Sequence, residues 1–157
     1  MLFQTATSKQ INTGLAVLRI VVGAIFVAHG AQKIFVYGFE GVAGSFGQMG
    51  VPMAGLVGPF IALLEFLGGM ALIAGVFTRL VSLGLVFTML GAILLVHAKA
   101  GFFNPNGYEF TLSLLASTLV LTLTGAGAYS IDALIGRRTT SELATGDRSA
   151  ETVRRAA

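Results

Sequence analysis

No cysteine occurs among the 157 residues. That absence excludes disulfides, CxxC redox chemistry, thiolate zinc sites, iron–sulfur clusters and covalently attached haem in one step. Any redox role then needs an electron carrier held outside this chain. Charge is scarce too: 11% of the residues are Asp, Glu, Lys or Arg, and 55% are hydrophobic, well outside soluble averages. Apolar stretches of roughly 20 residues recur, the length a helix needs to cross about 30 Å of hydrocarbon. Lipid is therefore the solvent for most of the chain. The basic balance of +3 invites a nucleic-acid reading. However, the Lys and Arg residues form no patch and do not alternate with exposed aromatics, so no nucleic-acid partner is expected.

The pattern reads as an all-α, integral membrane four-helix bundle. A polar lead covers residues 1–13. The first span is expected over about 14–36, the second over 53–77, the third over 80–98 and the fourth over 109–126. Lys9 ahead of an apolar run that ends in small residues near Ala28 also resembles a secretory signal. The run is too long for a signal core and carries Arg19, so a retained first helix is the better reading.

Between the first two spans, residues 37–52 are glycine-rich and predict a loop, with one interfacial turn in which Val42, Phe46 and Met49 share a face. Thr78-Arg79 is a tight connection. Asn104-Pro105-Asn106-Gly107 carries turn chemistry, because Pro fixes one dihedral and Gly permits the left-handed one. After the fourth span, Gly125 and Gly127 stop the helix. Ser130 is placed to cap a short amphipathic turn whose Ile131, Leu134 and Ile135 face lipid. The tail from 136 to 157 is polar and reads as disordered.

Lys and Arg near span ends are retained in the cytoplasm. Lys9, Arg79, Arg137, Arg138, Arg148, Arg154 and Arg155 fall on one side if the N-terminus is inside. Lys99 lies in an outer loop and Lys33 near the outer end of the first span. Both termini of this multi-pass chain are therefore expected in the cytoplasm.

Function is sought among polar groups that lipid penalises, since a charge at mid-bilayer costs roughly 2.5 to 3.5 kcal/mol on insertion scales. Arg19, His29, Lys33, Glu65, His97 and Glu109 are the candidates. Arg19, Phe26, His29 and Lys33 share an arc of about 80° on the first helix, with Gly23 and Gly30 beside them, so this stripe faces protein and packs closely. At 1.5 Å per residue, His29, Lys33 and His97 stand about 22 to 28 Å above the inner surface, with Glu109 at a similar height. Glu65 sits near mid-membrane and Arg19 about 8 Å above the inner surface. Glu65 has three readings: paired with Arg19, paired with His29, or protonated.

On the fourth helix, Glu109, Ser113, Ser117 and Thr124 share one face. They form either a proton relay or, as membrane hydroxyls more often do, bonds to carbonyls one turn back. Two histidines at similar depth also suit a metal or the iron of a b-type haem; this reading ranks behind the others, and no metal site is assigned. A polar network that merely holds the bundle together competes with a ligand site. In a quinone site, a His donor and a cation at His29, Lys33 or His97 would stabilise the reduced carbonyl oxygen, with Phe102 among the phenylalanines packing on the ring. Glu65, His97 and Glu109 are the proton-transfer candidates.

These residues, in this order, resemble the DoxX family of small bacterial membrane proteins. The first span carries Arg19-x3-Gly23-x2-Phe26-x2-His29-Gly30-x2-Lys33, and the second Glu65-x2-Gly68-Gly69 followed by Gly75. Thr78-Arg79, Met89-x2-Ala92, His97, Gly101-Phe102 and Tyr108-Glu109 come next, and Gly125-x-Gly127-x2-Ser130-x-Asp132 closes the set. The likeness covers residues 14–135. It implies a four-helix membrane bundle described as an oxidoreductase subunit, similar to the small membrane subunit of a thiosulfate:quinone oxidoreductase or to components of complexes that handle thiol and oxidative stress. Without cysteine, this chain is not expected to exchange thiols itself.

The leading expectation is thus a membrane subunit that supports electron transfer linked to the quinone pool, beside a soluble or membrane redox partner. Arg19 is expected to be structural. A non-catalytic scaffold or assembly factor that recruits a soluble enzyme is the alternative, and a small permease the third. Assembly as a homo-oligomer is compatible with the sequence.

Overall fold

Hydrocarbon offers no partner to a backbone N–H or C=O, so long apolar runs close their hydrogen bonds within helices. The computed structural model describes residues 5–103 and 105–136, and over those residues the protein is helical, without strands. Helix α1 runs over Ser8–Ala31 and continues through a π-helical turn at Gln32–Tyr37. Helix α2 covers Gly38–Gln48, α3 Ala54–Ala74 and α4 Thr78–Ala92. A second π-helical turn at Ile93–His97 and a 3-10 turn at Ala98–Ala100 prolong α4. Helix α5 covers Glu109–Thr124, and a short α6 occupies 131–136. The stretches Ser8–Gln48, Ala54–Ala74 and Thr78–Ala100 are long and apolar enough to cross a membrane, and α5 is a shorter apolar helix. Helices α1, α3, α4 and α5 run up, down, up and down. The start of α1, the α3–α4 turn and the end of α5 therefore meet at one end, called inner here after the basic residues.

One expectation gains detail and another needs correction. The polar lead is helical from Ser8, because Thr7 and Gln10 form a capping box that satisfies the first free N–H groups. The glycine-rich stretch expected as a loop is helix α2 over most of its length. Gly38, at φ +69°, turns the chain out of the π turn, and Gly50, at φ +80°, ends the excursion. The face shared by Val42, Phe46 and Met49 meets α3: Val42 is buried, and its Cγ1 lies 3.2 Å from where a Cβ on Gly58 would stand. Burial of that face, and the need to close backbone hydrogen bonds near lipid, outweigh the poor helix propensity of glycine. The expected disordered tail lies, from residue 137 onward, outside the described residues.

The tightest packing joins α1 to α3. A Cβ on Gly23 would come within 2.7 Å of the Gly69 carbonyl oxygen, and one on Gly69 within 2.6 Å of the Gly23 oxygen. A Cβ on Gly30 would meet the Phe66 backbone nitrogen at 2.4 Å. The two main chains touch where the sequence has no side chains, which is how membrane helices gain dispersion contact that lipid cannot match. Val22, Phe26, Leu72, Leu85, Met89, Leu114 and Leu121 fill the core between these helices, α4 and α5.

At the inner end, the segment after α5 folds back and clasps the bundle. Gly125 (φ +79°) and Gly127 (φ +73°) make the turn. Arg19, buried on α1, donates to the carbonyls of Ala126 at 3.2 Å and Tyr129 at 2.7 Å. The Asp132 carboxylate, whose charge also acts on Arg19, accepts from the backbone N–H groups of Phe77 at 2.8 Å and Thr78 at 3.0 Å. It thereby holds Phe77 in the left-handed region at φ +48° and caps α4. Ser130 accepts from the Ala133 N–H, as a cap for α6 should, and Ile131, Leu134 and Ile135 stand exposed around it. Arg19 is thus committed to carbonyls at the inner end and is not the partner of Glu65.

Candidate functional site

The partner of Glu65 is Lys33. Their side chains meet with Nζ and Oε2 2.5 Å apart, Glu65 being 4% exposed and Lys33 19%. Neither Arg19 nor His29 takes this place, and the glycine crossing explains why. Gly30 stands level with Phe66. Lys33 then lies about 4.5 Å beyond that level and Glu65 about 1.5 Å beyond it, a backbone offset of about 3 Å that a lysine side chain spans. Heights counted separately from the start of each span miss this, because they ignore where the helices cross.

Lys33 and His97 both sit in π-helical turns, on α1 and α4 respectively. A π turn inserts an extra residue into the helical ladder and re-aims the side chains after it, and such bulges gather at functional sites. His97 Nδ1 lies 3.0 Å from the Asn106 carbonyl oxygen. A carbonyl oxygen only accepts, so Nδ1 carries the hydrogen and Nε2 of the neutral ring is left as an acceptor. The Asn106 carbonyl comes from the turn expected on sequence grounds. That turn closes with Gly107 donating to the Phe103 carbonyl at 2.9 Å. Only glycine fits at 107, where a Cβ would lie 2.4 Å from the Phe102 carbonyl carbon.

Two cavities flank this cluster. One, of about 240 Å³, is a partly open chamber among α1, α3, α4 and α5; His29, Lys33, Glu65 and His97 put polar groups on walls otherwise built of residues such as Phe26, Leu114 and the exposed Phe110. The other, of about 370 Å³, is an apolar groove between α2, α3 and α4; its walls include Phe46, Met49, Ile61 and Phe87. Lys33, Glu65, Met89, Ala92 and His97 line both. The ion pair and the imidazole therefore stand where the two spaces meet, and the chamber adds His29 and Thr111 to their polar groups.

Of the residues singled out in the sequence, His29, Lys33, Glu65 and His97 converge on the chamber. His29 also faces Phe110, with ring centroids 6.2 Å apart. Glu109 and Phe102 line neither cavity. Glu109 opens α5, and Phe102 packs edge-on against Phe103 and Tyr108 in the outer loop. The hydroxyl track on α5 is local. Ser113 donates to the Glu109 carbonyl at 2.9 Å, Ser117 to Ser113 at 2.7 Å and Thr124 to Val120 at 2.7 Å, each one turn back. Phe110 and Thr111 are part of the chamber that sequence reasoning left out, and Met89 entered only through the family resemblance.

The DoxX family model matches residues 14–98. The chain is 34% identical over 128 residues to the Bacillus subtilis (strain 168) protein named "Putative oxidoreductase CatD", covering 82% of this chain and 91% of that one. It is 36% identical over 128 residues to "Inner membrane protein YqjF" of Escherichia coli (strain K12), covering 81% and 95%. It is 29% identical over 135 residues to "Uncharacterized membrane protein Rv3486" of Mycobacterium tuberculosis (strain ATCC 25618 / H37Rv), covering 79% and 82%. No solved structure matches the chain. The family match across more than half its length, together with the apolar helices and the inner-membrane relatives, shows that this multi-pass inner-membrane protein belongs to the DoxX family.

Proposed function

We propose that the chain is the membrane subunit of an oxidoreductase complex that supports electron transfer linked to the quinone pool. The observation that carries this reading is the Lys33–Glu65 pair and His97, set where an apolar groove meets a chamber that adds His29 and Thr111 to the polar groups. A lipid-soluble quinone needs both kinds of surface, apolar for its body and polar for its two carbonyl oxygens. The name carried by the Bacillus relative points to the same class of chemistry.

In this reading the head group lies in the chamber, among these polar groups. Lys33 supplies a cation to the carbonyl oxygen on which negative charge grows during reduction. His97, held through Nδ1 by the Asn106 carbonyl, presents Nε2 to the other oxygen and accepts a proton when a quinol is oxidised or returns one when a quinone is reduced. Glu65 takes or gives the second proton. His29 lies in the same chamber and extends its donor set. Full reduction consumes two electrons and two protons; the electrons pass between the quinone and a redox partner that carries its own cofactor or thiol, since this chain has no cysteine.

The test is gentle purification followed by extraction and mass spectrometry of bound quinone. Retained quinone in the wild-type protein, lowered in folded His97→Ala and Glu65→Gln variants, is the expected result. Wild-type occupancy in both variants would sink the assignment. An empty bundle that brings down a soluble oxidoreductase would move the reading to a scaffold.

A further inference from the structure

We infer that the groove between α2, α3 and α4 is the path by which the hydrocarbon chain of the lipid-borne electron carrier leaves the bundle, so that the carrier reaches the site sideways from the bilayer. This rests on the quinone reading of the chamber and adds what that reading leaves open, namely where the chain goes and from which side the molecule comes.

Three observations carry it. First, the groove adjoins the head-group chamber, because Lys33, Glu65 and His97 line both. A molecule with its polar end at those residues has apolar space directly behind it. Second, most of the remaining groove wall is aliphatic or aromatic, with Thr88 the main exception, and the Thr88 hydroxyl is already bonded to the Gly84 carbonyl at 3.1 Å. The groove thus offers its occupant almost no hydrogen bonding away from the shared end, which suits a hydrocarbon chain and excludes a second polar head. Third, the groove opens to the lipid-facing surface, since Met49, Phe87 and Leu95 on its rim are 47%, 65% and 46% exposed. The two nearest walls differ in origin: α3 is locked to α1 through backbone contacts at glycines, whereas α2 rests on α3 through Val42 at Gly58.

Gly91 provides the test, because it lines the groove but not the chamber, and a Cβ there would meet no atom within 4 Å. Gly91→Leu therefore fills the groove without forcing the backbone apart. Met49→Trp, at an exposed rim position, narrows the mouth by a separate route and guards against one variant failing to fold. The measurement is the dissociation constant of decylubiquinone and of its chainless parent ring for the wild-type protein and both variants. The expected result is a loss of about tenfold or more for decylubiquinone, the scale of overfilling a packed site, with the chainless ring changed by less than about twofold.

Equal loss for both compounds, or no loss for either, overturns the groove assignment. The chamber reading then still stands if His97→Ala weakens both compounds. Failure of the wild-type protein to bind either compound overturns the quinone reading and the chain path with it. A phospholipid that native mass spectrometry finds still bound after decylubiquinone has saturated the protein would assign the groove to structural lipid and overturn the proposal.

Discussion

The inner and outer ends of this bundle each hold a basic side chain, Arg19 buried and Lys33 half-buried, and they treat it in opposite ways. At the inner end Arg19 is tied to main-chain carbonyls, Asp132 is tied to main-chain N–H groups, and the turn between them is fixed by left-handed backbone. Every partner is part of the fold. At the outer end Lys33 and Glu65 hold each other and little else, next to open volume. A planar guanidinium with five donors suits the first task, and a flexible ammonium, able to leave one acceptor for another, suits the second. The comparison separates a charge used as a fastener from a charge held ready for a ligand.

Variants can break or sharpen this contrast. The largest expected effect on stability lies on neither charge: Gly30→Val, which drives a branched side chain into the Phe66 backbone, should cost about 3 kcal/mol or more and lower the midpoint of thermal unfolding in detergent. Arg19→Met comes next. It leaves the Ala126 and Tyr129 carbonyls without their donor while Asp132 keeps its two N–H partners, with a loss of about 2 to 4 kcal/mol. Quinone bound per folded molecule should stay at the wild-type level, and a drop there would erase the distinction between the two ends. Asp132→Asn keeps one acceptor for the α4 cap and should cost about 1 kcal/mol.

The smallest stability change belongs to the outer end. The double variant Lys33→Met with Glu65→Leu exchanges an ion pair for apolar packing and should move stability by about 1 kcal/mol or less in either direction, while abolishing quinone retention. A collapse of folding in that double variant would mean that the pair is a fastener after all. Lys33→Met alone, which leaves Glu65 buried without its cation, should destabilise more than the double variant.

Much of this division can be read from the residues, though not the pairing. Hydropathy and the placement of basic residues define the crossings, and the stripe on α1 marks its protein-facing side at Arg19, Gly23, Phe26 and Gly30, whereas His29, expected on the same stripe, is exposed. Arg19 as a structural residue and Ser130 as a cap also follow from local rules. The Lys33–Glu65 contact does not, because it depends on where α1 and α3 cross, and that is set by glycines whose role is visible only when both helices are in place. Helix α2 was hidden for a related reason. Gly38, Gly41, Gly44, Gly47 and Gly50 all speak against a helix, and what favours it is a partner surface at Gly58, far off in the chain. The π turns at Lys33 and His97 leave no residue signature at all, and they decide which way the two site residues point.

The glycine contacts between α1 and α3 have a mechanical meaning as well. Main chain against main chain cannot be compressed or slid by repacking side chains, so these two helices act as one stiff post carrying Lys33 and Glu65 at fixed spacing. Any widening of the groove has to come from its other walls, α2 or α4. Of these, α2 is flanked by two glycines at positive φ, Gly38 and Gly50, the residues that resist a change of direction least. The bundle is thus stiff on the side that sets the distance between charges and jointed on the side that meets the lipid.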